Sequence, residues 1–137
     1  MLKDQSITTM KDFGVTLKRD HPGELAKAVT AIANANVNIE GFCEIDGKFH
    51  LVTNDPKSAR KALETVGLSV DEHDVFVFGA EDRPGFLANV LRKIADQEIN
   101  VIASYTLTGT RIALSVDQPA RAKEVLEELT PAATQRR

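Results

Sequence analysis

The sequence predicts an α+β protein made of two ferredoxin-like βαββαβ units, each an antiparallel sheet with two helices on one face. Three observations predict it. First, a heptapeptide returns 62 residues later: Asp20-His21-Pro22-Gly23-Glu24-Leu25-Ala26 recurs as Asp82-Arg83-Pro84-Gly85-Phe86-Leu87-Ala88. Second, the same spacing carries Val15 onto Val77, Ile32-Ala33 onto Ile94-Ala95, Asn38 onto Asn100, Gly47 onto Gly109, Asp55 onto Asp117 and Lys61 onto Lys123. Third, in each copy the hydrophobic period alternates between two and 3.6 in one fixed order. Two copies at so long a period describe a duplicated small domain and not a solenoid.

In the first copy, Phe13, Val15 and Leu17 alternate as a strand, and Leu25, Val29 and Ile32 follow the spacing of an amphipathic helix. Val37, Ile39, Cys43 and Ile45 alternate again, and Asp46-Gly47 is a two-residue hairpin turn into a strand from Lys48 to Thr53. Pro56 opens a second helix, which Gly67 caps at its C-terminal end, and Leu68 to Asp71 supply a short last strand. The second copy gives a strand from Val75 to Phe78, a helix carrying Leu87, Leu91 and Ile94, and a strand from Ile99 to Leu107. A turn at Thr108-Gly109, a strand from Arg111 to Val116 and a helix from Pro119 to Leu129 complete it.

At the end of the second copy the pattern fails. The 62-residue spacing puts Leu68–Asp71 on Thr130-Pro131-Ala132-Ala133, too small and too Pro-broken for a strand, which leaves the apolar edge of Val75 to Phe78 uncovered. Ser6-Ile7-Thr8-Thr9-Met10 is β-prone and is expected to fill the vacancy, within the chain or across a dimer. The expected divisions are residues 1–10 as an N-terminal segment, 11–72 as the first repeat, and 73–137 as the second with a degenerate last strand. The acidic stretch Asp71-Glu72-His73-Asp74 reads as a solvated junction between them. Units of this size are marginal alone and are expected to bury surface against each other or another chain. Phe42, Phe76, Phe78 and Ile102 occupy strand positions that cannot all face the helices, which points to a homodimer.

Composition narrows the function. Seventeen basic and twenty acidic residues give a net charge of −3, without the positive field that recruits nucleic acid or anionic lipid. No apolar run approaches the ~20 residues that cross a bilayer, and residues 1–10 lack a signal peptide's pattern, so a cytoplasmic protein is expected. Cys43 has no partner for an intrachain disulfide or a zinc site, and His21 and His50 stand without a neighbouring Cys or acidic pair at metal spacing. Neither cofactor nor metal is expected.

A strand, then Asp-x-Pro-Gly-x-Leu-Ala opening a helix, then Val37-Asn38-Ile39 or Ile99-Asn100-Val101 opening the next strand, resembles the ACT domain in both copies. The resemblance spans roughly Lys11 to Leu129. It implies a regulatory module, of the kind attached to aspartate kinase and phosphoglycerate dehydrogenase, which binds a small amino-acid-like effector at domain interfaces and has no catalytic residues. The residues it points to are Asp20, His21, Pro22, Gly23, Glu24, Leu25 and Asn38, with Asp82, Arg83, Pro84, Gly85, Phe86, Leu87 and Asn100 in the second copy.

The chemistry of those residues supports a ligand site independently. A helix starting at Pro22 or Pro84 leaves unpaired N–H groups and a partial positive charge suited to a carboxylate. Gly23 and Gly85 remove the side chain that would block close approach, Asn38 and Asn100 offer amides, and Asp20 and Asp82 can accept from an α-ammonium. The same residues also have plain structural roles, Asp as helix cap and Pro-Gly as loop former.

Two other classes fit less well. Acylphosphatases share the element order but need an arginine-lined phosphate loop, whereas the first loop has His21 and the second Arg83. RNA-recognition sheets need stacking aromatics, and this chain is 5% aromatic without Trp. The competing reading is a protein-interaction adaptor that keeps the fold without a ligand.

Overall fold

The computed structural model describes residues 7–19 and 21–129. The chain runs β1 (Ile7–Thr16), α1 (Glu24–Asn34), β2 (Ile39–Ile45), β3 (Lys48–Thr53), α2 (Pro56–Thr65), β4 (Asp71–Gly79), α3 (Phe86–Asp96), β5 (Val101–Leu107), β6 (Arg111–Val116) and α4 (Pro119–Glu128). It divides into two compact units, Lys11–Asp74 and residues 7–10 with 75–129.

In the first unit β3 lies between β1 and β2, antiparallel to both. Phe13, Val15, Leu17, Phe49 and Leu51 face α1 and α2, whose Ala28, Ile32, Ala59 and Leu63 complete one core. Alternation sends Asp12 and Val52 to the other face of the sheet, where both are also buried. The second unit repeats the plan with β6 between β4 and β5. Phe76, Phe78, Ile112, Leu114 and Val116 meet Val90, Ile94, Ala122 and Leu126 of its helices. Phe76 and Phe78 therefore pack inward, while Phe42 and Ile102 are 56% and 64% exposed.

The ends of the units differ from the expected strands. Leu68 to Val70 form no strand; a strand begins at Asp71 and continues unbroken through Gly79, so the acidic junction is strand and not linker. β1 starts at Ile7, and Ile7 packs against the core of the second unit while Thr8 Oγ1 donates to the Val77 carbonyl at 3.4 Å. Thr130 to Ala133 lie outside the described residues.

A single 62-residue spacing does not hold throughout. It relates α1 to α3 and β2 to β5, where Ala28 and Ile32 correspond to Val90 and Ile94. Elsewhere the spacing is 63: the Leu17 N–H donates to the Gly47 carbonyl as Ala80 does to Thr110, and Ala59 and Leu63 stand where Ala122 and Leu126 do. The hairpin joining β2 and β3 has two residues, Asp46-Gly47, whereas Thr108-Gly109-Thr110 joins β5 and β6. The Val15/Val77, Asp55/Asp117 and Lys61/Lys123 identities are thus out of register. Val15 faces the helices, whereas Val77 alternates with the helix-facing Phe76 and Phe78.

Candidate functional site

The loop after the first strand of each unit ends on a glycine with φ 90°, Gly23 and Gly85, and the helices begin one residue later, at Glu24 and Phe86 instead of at the prolines. A side chain at either glycine would meet nothing within 4 Å, so glycine is needed here for its left-handed backbone and not for close approach. Among the described residues no side chain caps either helix. Lys27 and Asn89 N–H bond back to Gly23 and Gly85, leaving the N–H groups of Leu25, Ala26, Leu87 and Ala88 without a backbone acceptor among the described residues. Asp82 is exposed and Asp20 lies outside the described residues.

Facing each helix start is the hairpin of the same unit, and a cleft lies between them. In the first unit it has a volume of about 310 Å³, bounded by Lys18, Arg19, His21, Glu24, Glu44 and Asp46. Arg19 grips Asp46 with Nε and a terminal nitrogen at 3.0 and 2.9 Å, and Glu44 accepts the Gly47 N–H at 2.6 Å. Gly47 has φ 86°, and a Cβ there would stand 3.0 Å from the Leu17 carbonyl, so this glycine is fixed by conformation and by space.

In the second unit the cleft is about 240 Å³ and includes Glu81, Asp82, Arg83, Phe86, Leu87 and Arg111. Arg83 pairs with Glu81 and lies over the Phe86 ring at 5.9 Å. The guanidinium's hydrogen bond holds the Glu81 carboxyl below its usual range. Arg111 donates to the Thr108 carbonyl at 2.8 Å. Phe86 itself is 2% exposed and belongs to the core, while Leu87 is 45% exposed.

His21, Gly23, Glu24 and Leu25 thus come together in one cleft and Asp82, Arg83, Phe86 and Leu87 in the other. Asn38 and Asn100 do not join them within their own units. They precede β2 and β5, whereas the hairpins that wall the clefts follow those strands, about 20 Å away at ~3.3 Å per residue. There the Asn38 N–H donates to the Asn54 side chain and the Asn100 N–H to Asp117, at 3.0 and 2.9 Å.

Sequence reasoning missed one polar pair. His50 Nδ1 lies 3.0 Å from the buried Asp12 carboxylate, on the sheet face away from the helices. Alternation could have placed each on that face, but only the β1–β3 register brings them together. Cys43 stands opposite His50 on β2; burial, with the Asp12 charge adding, pushes its thiol up, which keeps it protonated near neutral pH. Among the described residues no three His, Cys, Asp or Glu side chains are placed to hold a metal, and no helix is long and apolar enough to cross a membrane.

No curated protein matches the sequence. Among solved structures, protein BT0572 from Bacteroides thetaiotaomicron is similar, with a TM-score of 0.77, 22% identity and 89% of each chain covered. The ligand-free regulatory subunit of aspartate kinase from Thermus thermophilus gives 0.62 at 18% identity, over 88% of this chain and 91% of that one. E. coli aspartokinase III in complex with lysine and aspartate gives 0.60 at 11% identity, over 93% of this chain and 32% of the kinase. At these identities the likeness establishes the fold. The sequence model of the ACT domain pair matches residues 43–131, more than half of the chain, and the chain therefore belongs to the ACT domain family as an ACT domain pair.

Proposed function

We propose that the chain is a non-catalytic regulatory module whose loop clefts hold a small amino-acid-like effector. The observation that carries this reading is the recurrence of one cleft in both units, built each time from the Pro-Gly loop, the following helix start and the facing hairpin. Backbone N–H groups of the first helical turn suit a carboxylate, and acidic side chains at the rim suit an ammonium. Asn38 and Asn100 enter the reading as residues offered by a second copy in a homodimer, for which Phe42 and Ile45, 56% and 72% exposed, supply apolar surface.

A thermal-shift panel of the twenty amino acids, followed by calorimetry, tests the proposal. Lysine and aspartate lead the panel because they occupy the E. coli aspartokinase III structure. Ligand at a hundred times its dissociation constant adds ~2.7 kcal/mol to folding. A panel without any shift at millimolar concentration would sink it and leave the adaptor reading, which exposed Phe42 and Ile45 favour. In the same assay Asn38→Ala and Asn100→Ala should weaken binding more than they weaken the fold.

A further inference from the structure

A second groove, which shares Lys18 and Glu24 with the loop cleft, runs along β1 in the first unit. Residues 71–74 lie beside 11–14: the Asp71 carbonyl oxygen is 3.8 Å from the place of a Cβ on Gly14, and Lys11 Nζ is 2.6 Å from Asp74 Oδ1. Past Gly14 the two segments part. Gly67 turns the chain at φ 85°, Leu68 and Val70 are drawn against the core, and residues 68–70 leave strand geometry. The opening has a volume of about 500 Å³.

Its floor is an open strand edge. Because the Leu17 N–H bonds toward the β2–β3 hairpin, the alternation of an antiparallel ladder turns the N–H and C=O of Thr16 the other way, into the groove. No backbone hydrogen bond joins Thr16 to residues 66–70. Two cationic residues, Lys18 and Lys27, and two anionic ones, Glu24 and Asp71, are among those that line it. Among the described residues none of these four makes an ion pair. The helix of the second unit differs here: Phe86 and Asn89 hold the positions of Glu24 and Lys27.

We propose that this groove is a separate binding site for a short zwitterionic peptide of dipeptide size. An extended dipeptide spans roughly 7 Å. Its amide pairs with the Thr16 edge as an added strand, and its two charged ends meet the lysines and carboxylates of the walls. Balanced charge on the walls selects a ligand charged at both ends over a simple anion or cation.

Titration of the ¹⁵N-labelled full chain with Ala-Ala at millimolar concentration tests the proposal. Amide shifts are expected at Thr16, Ser69 and Asp71, which line the groove and not the loop cleft. Lys27→Gln and Asp71→Asn should each weaken binding on the order of tenfold, and the acetylated, amidated dipeptide should not bind. Both positions are exposed, and thermal unfolding of each variant verifies that its fold is kept. Unmoved amides at those three positions, or undiminished affinity in both variants, would overturn the proposal. So would shifts confined to Arg19, His21 and Glu44 to Gly47, which would put the peptide in the loop cleft. Free alanine shifting the loop amides without moving Thr16 would support two distinct sites.

Discussion

The two units place different residues at the same point of the same element. Where the first helical turn begins, the first unit has Glu24, half-buried at the rim of both its cavities, and the second has Phe86, sunk in the core beneath the Arg83 guanidinium. One copy keeps a charged, open entrance to its helix; the other closes that position with an aromatic ring. The contrast teaches that the shared fold does not require either residue, and that each copy has fitted the surrounding loop to its own choice. The loops agree: Arg19 turns outward to the hairpin at Asp46, whereas Arg83 folds back onto Glu81 and the ring.

Exchanging the two residues is the sharpest way to break this comparison. Phe86→Glu should cost about 3–5 kcal/mol, since it removes a buried ring and buries a carboxylate, while Glu24→Phe should alter stability by less than ~1 kcal/mol and occlude the first cleft. Urea unfolding of the two variants measures this, and equal losses would show that the units do not differ at this point. Deleting residues 1–10 should have the next largest effect, about 2 kcal/mol from the lost packing of Ile7. Hydrogen exchange should locate the loss at Val75 to Phe78 more than at Leu51 and Val52. Uniform protection in both places, with an unchanged melting temperature, would refute it.

Gly23→Ala and Gly85→Ala should be nearly equal, about 1–2 kcal/mol each, because both glycines have φ 90° and open space around the missing Cβ. A clear inequality in thermal unfolding would mean that one loop relaxes and the other does not. The smallest effect concerns the second helix of each unit. Asp55 caps α2 by accepting from Ser58 N and Oγ, and those bonds depress its carboxyl, while Gln118 makes no such cap on α4. A depressed carboxyl stabilises above its ordinary pKa and loses that contribution as pH falls through the folded-state value. The difference between wild type and Asp55→Ala should therefore be present at neutral pH and vanish in strong acid. Gln118→Ala should show no comparable pH dependence.

Much of this was legible in the residues. The repeated Pro-Gly motif located both loops and both following helices, because a helix start needs local chemistry that short sequences carry. What was not legible depends on pairing. Identity at a constant spacing matched Val15 with Val77 and Lys61 with Lys123, although the strands had shifted by one residue; an exposed lysine is too weakly constrained to reveal such a shift. Asn38 and Asn100 share a motif with the loops, but strand direction places them at the other end of β2 and β5 from the hairpins. The Asp12–His50 pair joins residues 38 apart in sequence through strand register alone. The groove beside β1 has walls from three segments, and no single motif announces it.

The unequal hairpins make each unit's strand pair a reading frame. Between Leu17 and Gly23 the first unit has one residue more than the second has between Ala80 and Gly85, and in the hairpin one fewer. The two changes act like a compensated insertion and deletion: β4 and β6 moved together, so Phe76 still sits opposite Leu114 as Phe13 does opposite Leu51. Neither edit is portable alone. Transplanting the Asp46-Gly47 turn in place of Thr108-Gly109-Thr110 would shift β6 by one against β5 and turn Ile112, Leu114 and Val116 out of the core. Parts can be exchanged between these copies only in multiples that restore the phase.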